Sequence, residues 1–197
     1  MYIHKKSKIE IRDKYAIVIT NKDEPIFIDI DDIERVKEYN WNIDSSGYAR
    51  TENGYRGNAK VILMHRLINN TPSDLSTDHI NGFKTDNRKC NLRSCTKQQN
   101  MANSGARSDS TSGVRGVNYA KREKLWRARI RINKKEIGLG YFKLKEDAIK
   151  SRLEAEKIYY GEFAFENGGK DLRCRMRGKS LNKILLKAYL RVGLNID

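Results

Sequence analysis

Three cysteines in 197 residues, Cys90, Cys95 and Cys174, exclude more than they supply. Their number is odd and no Cys-x-x-Cys pair occurs. Neither a disulfide scaffold nor a four-cysteine zinc site is expected, and reduced, partly buried thiols are. No apolar run approaches the roughly 18–20 residues that a spanning helix needs. The start, Met1-Tyr2-Ile3-His4-Lys5-Lys6, lacks the apolar core of a secretory signal. A soluble, cytoplasmic protein without a membrane partner is the expectation. Acidic residues are also short: 25 Asp+Glu face 40 Lys+Arg, a formal net charge of +15, with a pI of about 9.7. Such a chain repels itself unless a polyanion neutralises it. Nucleic acid is the expected partner, and an anionic membrane surface is the rival.

The first 64 residues are predicted to be β-rich. Ile9-Glu10-Ile11, Tyr15 to Thr20 and Ile26-Phe27-Ile28 carry β-branched residues, and Asn21 to Pro25 is a turn. Asp31 and Asp32 look like N-caps of a short helix through Tyr39, with Trp41 plugging the core. Tyr48-Ala49-Arg50 and Lys60 to Met64 are expected as strands flanking a Gly-containing loop, 53–58. His65-Arg66-Leu67-Ile68 fits either a helix start or a strand end, and Asn70 to Ser73 breaks it. Thr77 to Ile80 and Leu92 to Cys95 read as short strands, Asn81-Gly82 as a tight turn, and Thr96 as the cap of a helix from Lys97 that carries Asn100. Residues 106–112 form a Ser/Gly/Asp-rich linker. Beyond it, Gly113 to Tyr119, Trp126 to Asn133 and Lys135 to Phe142 read as strands. Glu146 to Tyr160 reads as an amphipathic helix ended by Gly161, with Ala148, Ile149, Leu153, Ala155, Glu156 and Tyr160 on its packed face. Residues 167–197 hold a basic run, Arg173 to Lys179, and a pattern over Leu181 to Val192 that fits a terminal helix.

The central segment carries the chemistry. Asp78 stands beside His79, and Asn87, Asn91 and Asn100 follow. Phosphodiester hydrolysis needs an activated water, neutralisation of the phosphorane charge and stabilisation of the leaving 3′-oxygen. A histidine of near-neutral pKa can supply the first, and one divalent metal the other two. Carboxylate and amide oxygens are hard donors suited to Mg2+ or Mn2+. Neighbours on an extended strand point to opposite sides, so Asp78 and His79 flank one phosphate only if the strand twists or a loop closes over it.

The series Met64-His65-Arg66-Leu67-Ile68, Asp78-His79-Ile80-Asn81-Gly82, Thr85-Asp86-Asn87-Arg88, Asn91-Leu92-Arg93 and Gln98-Gln99-Asn100 resembles the HNH endonucleases of the phage and intron homing type. The resemblance implies a ββα-metal fold with its core over 64–104. It makes His79 the general base, Asp78 and Asn100 the ligands of a single Mg2+ or Mn2+ ion, and Asn91 the residue that orients His79 or braces the loop. Asn100 stands where other branches of the family have a third histidine. Arg93 is a candidate phosphate clamp, and Asn87 and His65 are expected to be structural.

The second unit has its own pattern. Arg127, Arg129 and Arg131 alternate with Trp126, Ala128, Ile130 and Ile132. One face of that strand is therefore basic and the other apolar. Arginines on a β-ribbon can fork onto guanine in the major groove or clamp phosphate. Arg115-Gly116-Val117, Trp126 to Ile130, Leu139-Gly140-Tyr141-Phe142, Asp147-Ala148 and Tyr160 to Ala164 resemble an AP2 domain over 113–166. That implies a three-stranded antiparallel sheet packed on one helix, with the sheet in the DNA major groove. Arg115, Arg129 and Arg131 match DNA-reading arginines of the plant branch, and Asn118, Tyr119 and Arg127 join them as candidate DNA contacts. The chain departs from that branch at Asn118, Ala120, Glu136 and Gly138, so the plant target sequence does not carry over. Trp126 and Phe142 are expected in the core.

The whole predicts an α+β protein: a β-rich N-terminal region plus nuclease core over 1–105, the linker, the sheet–helix module and a basic tail. It would be a monomeric, metal-dependent, site-specific endonuclease of double-stranded DNA, encoded by a phage or other mobile element in a bacterial host. The alternatives are a DNA-binding regulator with a degenerate nuclease fold, and an RNA-binding protein. The latter would need base-stacking aromatics on an exposed sheet.

Overall fold

A computed structural model describes residues 7–53, 60–106 and 109–164. The expectations for the loop residues 54–58, Cys174, the basic run from Arg173 and the terminal helix lie outside the described residues. The chain divides into two compact units, one holding the described residues up to Ser94 and the other beginning at Cys95. Among the described residues no helix is long and apolar enough to cross a membrane.

The first unit opens with an antiparallel meander of β1 (Lys8–Ile11), β2 (Ala16–Ile19) and β3 (Pro25–Ile28). β2 and β3 are almost wholly buried, as their unbroken apolar runs require. A second sheet holds β4 (Asn42–Ile43), β5 (Ala49–Asn53) and β6 (Lys60–Leu63) in that order. Helix α2 (Met64–Asn69) resolves the ambiguity at His65 in favour of helix. Asn70 ends it in the left-handed region at φ 48°, a conformation that asparagine tolerates. Arg35 caps this end, donating to the carbonyls of Leu67 at 2.6 Å and Ile68 at 3.1 Å. Val18, Ile26, Ile28, Val36, Trp41, Met64 and Ile68 join in one core.

Trp41 is fully buried, as expected, and its Nε1–H donates to the Val36 carbonyl at 2.9 Å. Burial of an indole of this size contributes on the order of 5 kcal/mol as an upper bound. That contact also corrects the helix expected through Tyr39. Helix α1 covers only Ile33–Val36, because the chain turns back there to insert the indole. Nor is Asp32 a side-chain cap. It is wholly buried, 3.5 Å from Arg35 Nη1 and 3.1 Å from Lys89 Nζ.

In the second unit, α3 (Lys97–Ala102) starts at a full capping box. Thr96 accepts the Gln99 N–H, and the Gln99 side chain accepts the Thr96 N–H. A three-stranded antiparallel sheet follows, with β10 (Leu125–Ile132) between β9 (Val117–Ala120) and β11 (Lys135–Phe142). Helix α4 (Lys145–Tyr160) buries Ala148, Arg152, Ala155 and Glu156. Val114, Val117, Ala128 and Ala148 form the core, with Trp126, Leu139, Phe142 and Ile149 packed on it.

The strand expected from Gly113 begins only at Val117. Gly113 and Gly116 sit at φ 73° and 79° and turn the chain first. A Cβ on Gly116 would lie 2.3 Å from the Arg129 carbonyl oxygen, so only glycine allows this approach. Ser112, at the end of the expected linker, is buried. Its Oγ lies 2.7 Å from the Val117 carbonyl and accepts the Val114 N–H at 3.1 Å.

Candidate active site and basic sheet face

β7 (Ser76–His79) and β8 (Leu92–Cys95) pair as a two-stranded sheet. Asp78 and His79 are each 5% exposed, and as neighbours on a strand they meet different partners. Arg93 on β8 donates to Asp78 Oδ2 through Nε at 2.9 Å and Nη2 at 2.7 Å. His79 Nε2 lies 3.3 Å from Asn87 Oδ1. An amide oxygen only accepts, so this contact places the ring proton on Nε2 and the lone pair of the neutral ring on Nδ1.

The intervening loop is braced by its own amides. Asn91 Nδ2 donates to the Asp86 carbonyl at 2.7 Å, and Asn91 Oδ1 accepts the Asn81 N–H at 3.0 Å. Asn81 Nδ2 donates to Asp86 Oδ2, while Arg88 holds both Asp86 oxygens at 2.7 and 2.8 Å. Gly82, at φ 75°, makes the turn, its N–H donating to the His79 carbonyl. The backbone of Thr85 to Asn87 adds to β3 through Phe27, whose N–H donates to Thr85 O and whose carbonyl accepts the Asn87 N–H, both at 2.8 Å. Asn87 is thereby pinned from its backbone and wholly buried.

Two further rings wall His79. His65 lies edge-on at 5.2 Å between centroids, and Tyr48 at 5.9 Å. Tyr48 stands 5.0 Å from His65 and carries the Lys84 ammonium 4.3 Å above its ring. Burial lowers the pKa of His79, and the Asn87 hydrogen bond and the Asp78 and Asp86 charges only partly oppose it. His65 is pushed down to about 3, by burial first, then by His79 and Arg66. Tyr48 is raised by burial and by the Asp78 and Asp44 carboxylates. Tyr48 had no local sequence signal, because neighbours across a fold leave no spacing to read, and Lys84, five positions after His79, matches no motif residue.

Among the described residues no three His, Cys, Asp or Glu cluster as a metal centre. The Asp78 carboxylate is the acid beside His79, and a hard, buried oxygen donor fits Mg2+ or Mn2+ better than a soft metal. Asn100 lies half-buried on α3 in the second unit.

On the second unit's sheet, register separates the two faces. Trp126 opposes Phe142 and Tyr119, and Ala128 opposes Gly140 and Val117, on the helix side. Arg127 opposes Tyr141 and Asn118, Arg129 opposes Gly138, and Arg131 opposes Glu136, on the outer side. A bulge between Ala128 and Arg129 keeps the pattern in phase. Asn118 therefore shares the arginine face. Tyr119 does not: it stands on the Trp126 side, its ring edge-on to the indole at 5.4 Å. Arg115 is half-buried, its Nη1 donating to the Met101 carbonyl and its own carbonyl accepting Arg152 Nε at 2.8 Å. Arg152 is 2% exposed and pairs with Glu156 at 2.9 Å. Burial raises the Glu156 pKa against the pull of Arg152 and Arg115.

No protein-family model matches the chain. A solved structure of DNA binding and cleavage by the HNH homing endonuclease I-HmuI aligns at 26% identity with a TM-score of 0.30, covering 46% of this chain and 51%, about half, of that one. An uncharacterised HNH endonuclease of Acanthamoeba polyphaga mimivirus is 30% identical over 148 residues, 72% of this chain and 73% of the relative. That relative carries the assignment over most of both lengths: the chain belongs to the HNH endonucleases.

Proposed function

We propose that this protein is a metal-dependent endonuclease that hydrolyses a phosphodiester of double-stranded DNA. The observation that carries the reading is the setting of His79. It is a buried, neutral imidazole with Asn87 on Nε2 and the Asp78–Arg93 pair beside it in sequence. A base must be unprotonated before it can act, and burial keeps this ring so at neutral pH. His79 Nδ1 takes the proton from the attacking water. Asn87 holds the ring in the tautomer that leaves Nδ1 basic, and Asn91 fixes the loop from which Asn87 projects.

Asp78 offers a carboxylate oxygen to one Mg2+ or Mn2+ ion, and the family resemblance adds the Asn100 amide oxygen. When bound, the ion supplies charge neutralisation for the phosphorane and the leaving oxygen. Arg93 holds Asp78 in place and is the candidate clamp for a phosphate oxygen. The sheet of the second unit, read as an AP2-type module, lays Arg127, Arg129 and Arg131 against the duplex as a monomer. A small nuclease site has little surface for reading sequence, and a tethered module raises the local DNA concentration and sets the register.

The test is purified protein with supercoiled plasmid, in Mg2+ and in EDTA, beside His79→Ala. Cutting by wild type in Mg2+ alone, abolished in the variant, is the expected result, with nicked circles as the simplest product of one site. Duplex binding with no metal-dependent cutting on plasmids bearing the native genomic neighbourhood would put the regulator reading ahead.

A further inference from the structure

The outer sheet face, on the reading above the one that meets DNA, carries an acid on its edge strand. Glu136 opposes Arg131 in register, yet its carboxylate bridges the other two arginines. Oε1 accepts from Arg127 Nη2 and Oε2 from Arg129 Nη1, both at 2.8 Å. Arg131 instead donates from Nε to the Lys134 carbonyl at 3.1 Å. The three side chains of the bridge remain 35–43% exposed. Gly138, opposite Arg129, leaves bare backbone, and a Cβ there would meet nothing within 4 Å.

An acid is costly on a face that meets a polyanion. It repels phosphate and cancels charge that arginines would contribute to sequence-independent binding. As a stability device it offers little, since exposed ion pairs are worth about 0–1 kcal/mol. Its distinctive effect is geometric. An unpaired arginine on a strand samples many rotamers, and here two guanidiniums share one carboxylate and are fixed relative to each other. Each spends one Nη on Glu136 and retains further donors. Fixed donor forks suit base edges, which demand a set geometry, whereas phosphates accept from many directions.

We propose that Glu136 is a specificity-determining residue of this sheet. It positions Arg127 and Arg129 as a pair to read guanines in the major groove, and trades general affinity for discrimination. This rests on the DNA-binding reading of the second unit.

The experiment uses the full chain in EDTA, so that binding is read without cutting. Wild type, Glu136→Gln and Glu136→Asp are each put through selection from a randomised duplex library. Anisotropy on selected and random duplexes follows at several salt concentrations, with circular dichroism to verify folding. Wild type should enrich G·C pairs at adjacent positions. Glu136→Gln should bind random duplex as tightly or more tightly, with preference at those positions down about tenfold. Glu136→Asp keeps the charge but is too short for the bridge, and should lose preference likewise. Unchanged preference in both folded variants overturns the proposal and leaves DNA binding standing. Failure of wild type to bind any duplex overturns the DNA-binding reading and this proposal with it. Should Glu136→Gln fail to fold, the Glu136→Asp comparison decides.

Discussion

Arg93 grips Asp78 Oδ2 with two guanidinium nitrogens, Nε and Nη2, the side chains only 15% and 6% exposed. Removing one partner of such a pair strands a charge away from water. Arg93→Ala should therefore destabilise the first unit by about 3–5 kcal/mol. Arg93→Ala combined with Asp78→Asn should recover much of that loss, because the stranded charge is gone. Urea denaturation of the two singles and the double measures the coupling. Simple additivity would mean that the contact contributes nothing of its own.

Loss of the Asn87 side chain should separate catalysis from binding. It is wholly buried, with its Oδ1 on His79 Nε2. Asn87→Leu keeps the branched shape, at a larger volume, and removes the acceptor, freeing the ring to adopt the other tautomer. Turnover on plasmid DNA should fall about 10–100-fold, a fraction of what general base catalysis contributes. Duplex affinity in EDTA should hold. Unchanged turnover would remove Asn87 from the mechanism.

Local chemistry is what the sequence made legible. The Thr96 cap, the Asn81-Gly82 turn, the Trp41 plug and the two-faced β10 all depend on residues a few positions apart, and each stands in the fold. Most of what escaped reading depends on distant partners. Asp32 looked like a helix cap and is a buried counter-ion to Lys89, fifty-odd positions on. Arg152 stood outside the packed face expected for the helix, and its Nε donates to the Arg115 carbonyl, thirty-seven positions back. Tyr119 lies one position from Asn118, and strand alternation turns it to the Trp126 face. The motif placed Asp78 and His79 together. It was silent on Tyr48, which reaches the site from elsewhere in the chain, and on Lys84, whose ammonium lies over the Tyr48 ring.

Gly116 should be the most sensitive backbone position of the second unit. At φ 79°, with the Arg129 carbonyl oxygen 2.3 Å from where a Cβ would stand, Gly116→Ala carries both strain and a clash. The backbone conformation alone costs about 1–3 kcal/mol. The Arg129 N–H donates to the Gly116 carbonyl at 2.9 Å. Hydrogen exchange at Arg129 should therefore accelerate in the variant, while amides of β1 to β3 keep their protection. Equal loss in both units would show that they unfold as one.

His65 should make the first unit acid-labile. It is 4% exposed, and its pKa falls from 6.5 to about 3 through burial, with His79 and Arg66 adding to the shift. In the unfolded chain the ring takes a proton near pH 6.5, and in the folded chain it resists until about 3. The unfolded state therefore binds more protons across that window, and stability drains as pH falls through it. Above 6.5 the ring is neutral in both states and its contribution is constant. At pH 5 the loss from this residue should be about 2 kcal/mol, from 1.4 kcal/mol per pH unit below 6.5. His79, lowered in the same direction, adds to the slope. Urea midpoints measured from pH 7.5 to 4 should fall steeply in wild type and less steeply in His65→Gln, which cannot titrate. Parallel curves for the two proteins would place the acid sensitivity elsewhere.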